Sequence, residues 1–376
     1  MKFSDIPGHD DVKSRLRELV DTGRVPHALL LEGPEGTAKF ALARAFVQYL
    51  HCRNRTSDGD SCGHCPACVQ HETFNHIDTF FSFPVVKRVS GKPAVSDDYL
   101  PEFRSYIQEH PYMDFEPWLE ALDNPKTPPR IFVDEGAELL RKLNFQARTA
   151  DYKAVLMWLP ENMNVETANK LLKLIEEPHP DTVFVLTSDR PEEILPTIYS
   201  RTQRIVVRRY PEETVESFLV ERGVAGESAT ELARLAEGNL NTAIRLSADA
   251  DRSATMLDAF ADLMRKGFKR DLPGLRKWAD TMAAKDRKRA IQFVDYCARI
   301  FRENLLLHTS AGAYLTSLTP AEAKFSERFH PYVNERNVIG LFNAMNDAHR
   351  DIAANGNAKI IFFDLAIRVV MLIRKK

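Results

Sequence analysis

The pattern of apolar and polar positions divides the chain into a first part with strands and helices and a second part with helices alone. Short apolar runs that predict buried strands lie at residues 27–32, 154–159, 182–187 and 203–207. Apolar residues with helical spacing lie at residues 10–22, 39–50, 165–177 and 194–200. Alternating strands and helices are typical of a parallel sheet with helices on both faces. We therefore predict an α/β domain over residues 1–210.

After residue 210 the predicted strands stop. Three short helices are predicted at 212–222, 228–237 and 241–247. They make a small helical module over residues 211–250, and the almost entirely helical pattern of 251–376 predicts an all-α C-terminal domain. The most apolar late stretch, 360–373, contains Asp364 and Arg368 and is too short to span a bilayer, so we expect no membrane contact.

The stretch at about 81–129 does not follow the strand–helix alternation. It contains eight prolines, which predicts an irregular insertion with short helices at 100–109 and 115–122. Its aromatic content favours packing onto another part of the protein over disorder.

Composition excludes several classes of protein. The 376 residues include 51 Lys+Arg and 53 Asp+Glu, a net charge of −2, with 44% hydrophobic and 28% charged residues. These values are typical of a globular chain and argue against disorder and against a strongly basic nucleic-acid binder. Five cysteines are too few for a disulfide scaffold, and the opening residues lack the apolar core of a signal peptide. We expect a soluble cytoplasmic protein.

Four of the five cysteines cluster within residues 52–68, at Cys52, Cys62, Cys65 and Cys68. Four thiolates in a short segment are typical of a closed structural Zn²⁺ site. An iron–sulfur cluster or a set of inert thiols are the alternatives. His51, His64, His71 and His76 lie nearby, but the four cysteines already complete a tetrahedral shell. The remaining Cys297 is predicted to be a buried core residue.

A phosphate-binding loop is suggested between the first strand and the next helix. Gly33 and Lys39 follow the P-loop pattern G-x-x-x-x-G-K-[ST], and Gly36 lies between them as a further candidate for nucleotide binding, but Ala38 replaces the second glycine of the pattern and Phe40 its metal-binding hydroxyl. Two interpretations are open. The loop either only shapes the strand–helix corner, or it binds ATP or ADP weakly without turnover.

The acidic residue that would hold Mg²⁺ after a buried strand is also missing. Asp134 and Glu135 precede a helical run and are interpreted as acids in the first turn of a helix. In the expected place, Trp158 and Leu159 stand instead. Phe40 and Trp158 thus occupy both positions that would hold the metal, and neither side chain can bind it, so we do not expect Mg²⁺ at this site.

Four motifs resemble the clamp-loader AAA+ family of the bacterial DNA polymerase III holoenzyme. They lie at residues 25–28, 167–178, 184–188 and 195–202, and the string N-K-L-L-K-x-x-E-E-P at 169–178 is the most specific. The resemblance covers residues 1–250 apart from the insertion. It implies an AAA+ P-loop domain with a zinc-binding insertion, a helical lid at 211–250 and a helical collar at 251–376.

The resemblance also implies roles. Members of the delta-prime branch assist ATP-dependent loading of the sliding clamp on primed DNA, with gamma/tau and delta subunits as partners. Arg201 matches an arginine finger that acts in trans on a neighbour's ATP, and Thr187 falls at the sensor 1 position. Asn241 replaces the usual sensor 2 arginine. The alternative for Arg201 is an ordinary surface role. The alternatives for the whole protein are an ATP-hydrolysing gamma/tau-like subunit and a zinc-bearing nucleic-acid-binding module.

The segment 265–289 is strongly basic. It holds ten Lys/Arg and three Asp. Such a run forms either solvated helix faces or a surface that contacts phosphates or an acidic partner.

Overall fold

A computed structural model describes residues 1–88, 93–123, 127–145, 147–176, 178–308 and 318–373. The chain divides into two compact units, Met1–Ser247 and Ala248–Lys376. Parts of the predicted insertion (89–92 and 124–126) and the last residue of the helix predicted at 165–177, Glu177, lie outside the described residues. The division into domain, lid and collar stays a prediction.

The first unit contains a five-stranded sheet in which every paired strand is parallel, as predicted. Its strands are β1 (Ala28–Glu32), β2 (Thr79–Ser82), β3 (Lys153–Trp158), β4 (Thr182–Ser188) and β5 (Gln203–Val206). Their order is β2-β3-β4-β1-β5. The edge strand β2 was not predicted, because a run of four residues beside a proline-rich segment has no readable period.

Helices cover both faces of the sheet. They are α1 (Asp10–Asp21), α2 (Lys39–His51), α3 (Pro66–Glu72), α4 (Leu100–Glu109), α5 (Phe115–Ala121), α6 (Val133–Leu143), α7 (Val165–Glu176), α8 (Pro196–Tyr199), α9 (Glu212–Glu221) and α10 (Gly226–Ala236). Alternate residues of β1 enter different cores: Leu29 and Leu31 lie in the core that holds α1 and α2, whereas Ala28 and Leu30 lie in the core that holds α6 and α7. Both faces are therefore apolar, as in parallel sheets generally.

The structure confirms one prediction about a helix terminus and corrects another about the length of a helix. Asp134 and Glu135 lie in the first turn of α6, as predicted. The helix predicted at 241–247 is wrong in its extent, since α11 runs over Leu240–Lys269. This stretch contains no proline and no glycine before Gly267, so nothing in its backbone ends the helix early.

Among its described residues, the second unit contains helices joined by turns and no strand. After α11 follow α12 (Leu272–Ala283), α13 (Arg287–Leu306), α14 (Pro320–Phe329), α15 (Val338–Ala353) and α16 (Ala358–Leu372). Its own core includes Phe260, Phe293 and Phe362, and Cys297 is fully buried there as predicted. Among the helices described, none combines the length and the apolarity that crossing a membrane requires.

The basic segment 265–289 lies on the end of α11, on α12 and at the start of α13. Arg265 and Lys266 pair with Asp262 one turn away, and Arg289 pairs with Asp286. Such pairs are typical of solvated helix faces. Contact with phosphate stays a prediction.

Candidate functional site

The loop between β1 and α2 contains two glycines, Gly33 and Gly36, that packing requires. A Cβ on Gly33 would lie 2.0 Å from the carbonyl oxygen of Val207. Gly36 has φ +74°, and a Cβ there would lie 1.8 Å from Asn239 Oδ1. Both positions therefore require glycine in the folded chain without any nucleotide.

Ala38 adopts the backbone conformation that the missing glycine would take at no steric cost. Its φ is 58° and its ψ is 24°, and it is the last residue before α2. The left-handed region costs a residue with a Cβ about 1–2 kcal/mol. The loop thus retains the course of a P-loop at the expense of local strain.

Lys39, at the position of the phosphate-binding lysine, is held by groups of the protein itself. Its Nζ lies 2.7 Å from Asp189 Oδ1 and 3.2 Å from Thr37 Oγ1, and it also donates to the carbonyl oxygen of Pro34. The side chain is only 4% exposed. Sequence analysis missed Asp189, although a polar residue directly after β4 lies at the same sheet edge as the loop after β1.

Aromatic rings fill the two positions where a metal-binding P-loop protein carries a hydroxyl and an acid. The ring centroid of Trp158, the last residue of β3, lies 5.9–6.5 Å from those of four insertion residues, which we call the aromatic plug: Phe103, Tyr106, Phe115 and Trp118. The Phe40 ring lies 6.1 Å from that of Phe103. The plug accounts for the predicted packing of the insertion. The sequence did not show that the insertion packs against Phe40 and Trp158.

We call the space around the loop, β3 and β4 the nucleotide corner. It is lined by Gly36, Lys39 and Thr187, which were predicted to bind nucleotide, and by Tyr112 and Met113 of the insertion. Gly33 lies beside it, against Val207. Asn241 Nδ2 donates to the carbonyl oxygen of Met113 over 2.7 Å, so the residue at the sensor 2 position binds the insertion. The remaining cavity of about 10 Å³ is at the lower limit for one water molecule.

Acidic groups accumulate at this corner. Burial, followed by a hydrogen bond with Asp114, raises the pKa of Glu35 to about 7. Arg245 Nη1 lies 3.3 Å from Glu116 Oε2 and 3.9 Å from Asp114 Oδ2. Carboxyl groups beside the loop oppose the approach of a triphosphate, because like charges repel.

Arg201 lies in a different environment, just after α8. Its Nε is 2.5 Å from Glu176 Oε1 at the end of α7, and its Nη1 donates to the carbonyl oxygen of Thr197 over 2.9 Å. Both side chains of the ion pair are 40% exposed. We call Arg201 and Glu176 the arginine edge, where a guanidinium is oriented and still reachable from solvent.

The four predicted cysteines converge. Cys52 follows α2 and Cys65 precedes α3. Their sulfurs lie 4.0 Å apart, the Cys62 and Cys68 sulfurs lie 3.9 Å apart, and all four sulfurs are within 4.8 Å of one another. Sulfurs around one tetrahedral ion at Zn–S distances of about 2.3 Å lie about 3.8 Å apart. The donor set therefore fits a zinc ion.

Hydrogen bonds within the cluster oppose the effect of burial on the thiols. The backbone N–H of Cys62 donates to Cys52 Sγ and that of Cys65 to Cys62 Sγ, each over 3.3 Å. Burial acts to raise the pKa of the Cys62 thiol, but the backbone N–H groups of His64 and Cys65 outweigh it and lower that pKa to about 6, whereas burial raises the pKa of the Cys52 and Cys68 thiols. Thiolates are the form that binds metal.

Comparison with known proteins agrees with the motifs. The family model described as "DNA polymerase III, delta subunit" matches residues 8–211. DNA polymerase III subunit delta' of Pseudomonas aeruginosa is 33% identical over 175 residues, 46% of this chain and 41% of its own length. Subunit gamma/tau of Mycobacterium bovis is 26% identical over 58% of this chain and 30% of its own. Subunit delta' of Escherichia coli is 25% identical over 77% of this chain and 73% of its own.

The match to the Pseudomonas and Mycobacterium proteins spans less than half the length of each. The family model, in contrast, covers more than half of this chain and includes the whole sheet and the loop between β1 and α2. The chain therefore belongs to the DNA polymerase III delta family of clamp-loader subunits.

Proposed function

We propose that the chain is a delta-prime-like clamp-loader subunit that assists ATP-dependent loading of the sliding clamp on primed DNA. It works in a complex with an ATP-hydrolysing gamma/tau-type subunit and a delta-type subunit. It does not turn over ATP at its own loop, and it supplies Arg201 to the ATP site of a neighbouring subunit.

The observation that supports this proposal is that the insertion closes the nucleotide corner, with Tyr112 and Met113 lining it and the aromatic plug packed against Phe40 and Trp158. Catalysis of phosphoryl transfer needs a positioned Mg²⁺ and a lysine free to reach the β- and γ-phosphates. In this chain Phe40 and Trp158 pack against the plug, and Lys39 is paired with Asp189. The alternative of a gamma/tau-like ATPase would require all of these side chains to move.

The arginine edge supplies the complementary feature. A planar guanidinium that forms a fork of hydrogen bonds is the usual group for stabilising charge on a transferred phosphoryl group. The Arg201–Glu176 pair is half exposed, and such pairs contribute about 0–1 kcal/mol. A phosphate of a neighbouring subunit can therefore replace Glu176 at little cost.

The cysteine cluster completes the proposal with a structural Zn²⁺. Four sulfurs close the coordination shell, which leaves no position for a reacting water. The ion would connect the end of α2 to α3 and stabilise this extension of the sheet domain. An iron–sulfur cluster in its place would give the purified protein a visible chromophore.

The test is reconstitution with partner subunits, clamp and primed DNA, with DNA-stimulated ATP turnover as the measurement. The isolated chain should show no turnover. Arg201→Ala should lower turnover at the neighbouring ATP site by about 10³-fold or more, the effect of removing an arginine finger, so the turnover of the complex should lose the share of that site. Arg190→Ala, which removes another exposed and ion-paired arginine, should leave it unchanged. Unchanged turnover with Arg201→Ala would contradict the finger, and turnover by the isolated chain would contradict the closed site.

A further inference from the structure

Three buried histidines lie together next to the cysteine cluster. His51 is the last residue of α2, His71 lies in α3, and His76 lies in the segment between α3 and β2. Their exposures are 4%, 8% and 5%. His64 differs from them, because it is exposed and its ring bonds to the carbonyl oxygen of Cys62. With four cysteines completing one tetrahedral shell, these three imidazoles have no role in that site.

The rings are close enough to share an ion. His51 Nδ1 lies 3.0 Å from His71 Nε2, and the ring centroids of the three histidines are 4.4–5.1 Å apart. One nitrogen from each ring lies within 4.8 Å of the others. Two nitrogens on a tetrahedral ion at about 2.0–2.1 Å lie about 3.3 Å apart. Coordination therefore needs the third ring to approach by at most about 1.5 Å.

Hydrogen bonding leaves the cluster incomplete. His76 Nε2 is buried and has no hydrogen-bond partner. Buried polar atoms in folded proteins are nearly always paired, so this nitrogen beside two other imidazoles indicates a missing ligand.

A buried carboxylate supplies negative charge nearby. Asp78 lies two residues after His76, and its backbone N–H donates to His76 Nδ1 over 3.3 Å. Its carboxylate accepts hydrogen bonds from the backbone N–H groups of Arg148, Thr149 and Ala150. The carboxyl group lies beside His76, where its negative charge would offset part of the charge of a dication.

We infer that His51, His71 and His76 form a second metal site, which binds Zn²⁺ through three imidazole nitrogens. Imidazole ligands suit zinc among the common divalent ions, and three-histidine sites leave a fourth position for water. The ion would join the end of α2, α3 and the approach to β2. It would therefore stabilise the same extension that the cysteine cluster stabilises, by a separate set of ligands.

Metal counting on the purified full-length chain tests this site. Elemental analysis should give two zinc ions per wild-type chain and one in His71→Gln or His76→Gln. The matched control His64→Gln should keep two. The double variant Cys65→Ser and Cys68→Ser should keep the histidine-bound ion, so failure of the proposed cysteine site and failure of the histidine site give different results.

Cobalt substitution gives a second readout that does not depend on the folding of a variant. Titration of metal-depleted wild-type protein with Co²⁺ should show one equivalent with sulfur-to-metal charge-transfer absorption and another with visible d–d bands alone. The second equivalent should be absent in His71→Gln. A wild-type chain in which every bound Co²⁺ shows sulfur absorption, or two zinc ions that persist in both histidine variants, would overturn the histidine site.

Discussion

The nucleotide corner and the arginine edge belong to the same α/β unit, yet their polar groups are arranged in opposite ways. In the corner, Lys39 is buried and paired with Asp189, and aromatic rings occupy the places of the metal ligands. At the edge, Arg201 is half exposed, with one exposed carboxylate as its ionic partner. The corner is satisfied within the chain, whereas the edge keeps a cation that another molecule can reach.

This difference teaches that residues of a P-loop pattern can contribute to the packing of their own chain. In the corner, Lys39 pairs with Asp189, and Gly33 and Gly36 lie against Val207 and Asn239. Losing such a residue should reduce stability, whereas losing Arg201 should affect only what the chain does to a partner. Measurements of stability and of turnover therefore separate the two regions.

The largest expected effect on stability is that of a substitution in the aromatic plug. Phe103 stacks on Phe83 with ring centroids 3.6 Å apart and contacts Trp118 and Trp158. Phe103→Ala should lower the free energy of unfolding by about 3–5 kcal/mol, as for other buried phenylalanines. Urea denaturation followed by tryptophan fluorescence measures it. Leu235→Ala, at an exposed leucine, is the control and should change little. A loss below about 1 kcal/mol would mean that the plug is not packed against β3.

Lys39→Ala should lower the free energy of unfolding by about 3 kcal/mol, because it leaves Asp189 without its buried partner. Arg201→Ala, the matched variant at the arginine edge, should cost less than about 1 kcal/mol. Thermal denaturation of both variants, with and without ATP, tests the comparison. If Lys39→Ala were neutral and ATP stabilised the wild type, the corner would be an open nucleotide site.

A smaller effect is expected from pH at Glu35. Its pKa is raised from 4.5 to about 7 on folding, so the folded chain holds an extra proton between these values. Wild-type stability from this group is complete below about pH 4.5 and is lost as the pH rises through about 7. Glu35→Gln should therefore be more stable at about pH 8, by no more than about 1 kcal/mol because solvent screens this half-exposed carboxyl. Denaturation curves at several pH values measure the difference, which should vanish at low pH.

The smallest effect is expected at Ala38. Ala38→Gly relieves the left-handed strain at φ 58° but makes the unfolded chain more flexible, so the net gain in stability should be about 0.5 kcal/mol. Restoring this glycine of the pattern should not restore nucleotide binding, because Tyr112 and Met113 of the insertion still line the corner and leave a cavity of only about 10 Å³. Calorimetric titration with ATP checks this. Micromolar binding by Ala38→Gly would show that the loop conformation, not the insertion, closes the site.

The sequence was most informative where local chemistry decides the outcome. Parallel strands 5–7 residues long, such as β1, β3 and β4, were predicted because strands buried on both faces are continuously apolar. The convergence of the four cysteines was predicted from their spacing. The edge strand β2 and the length of α11 were missed, because a run of only four residues and an uninterrupted helix carry no boundary signal in the sequence.

By itself, the sequence determined the alternation of strands and helices and the cysteine cluster. It also showed that Phe40 and Trp158 occupy the two positions where a P-loop protein has metal ligands. Substitutions at single positions are visible without any knowledge of contacts. Only the tertiary structure decided that the insertion fills the nucleotide corner, that Lys39 pairs with Asp189, and that His51, His71 and His76 meet. These features join residues distant along the chain, and packing of the whole sheet unit selects such contacts from many that the sequence alone allows.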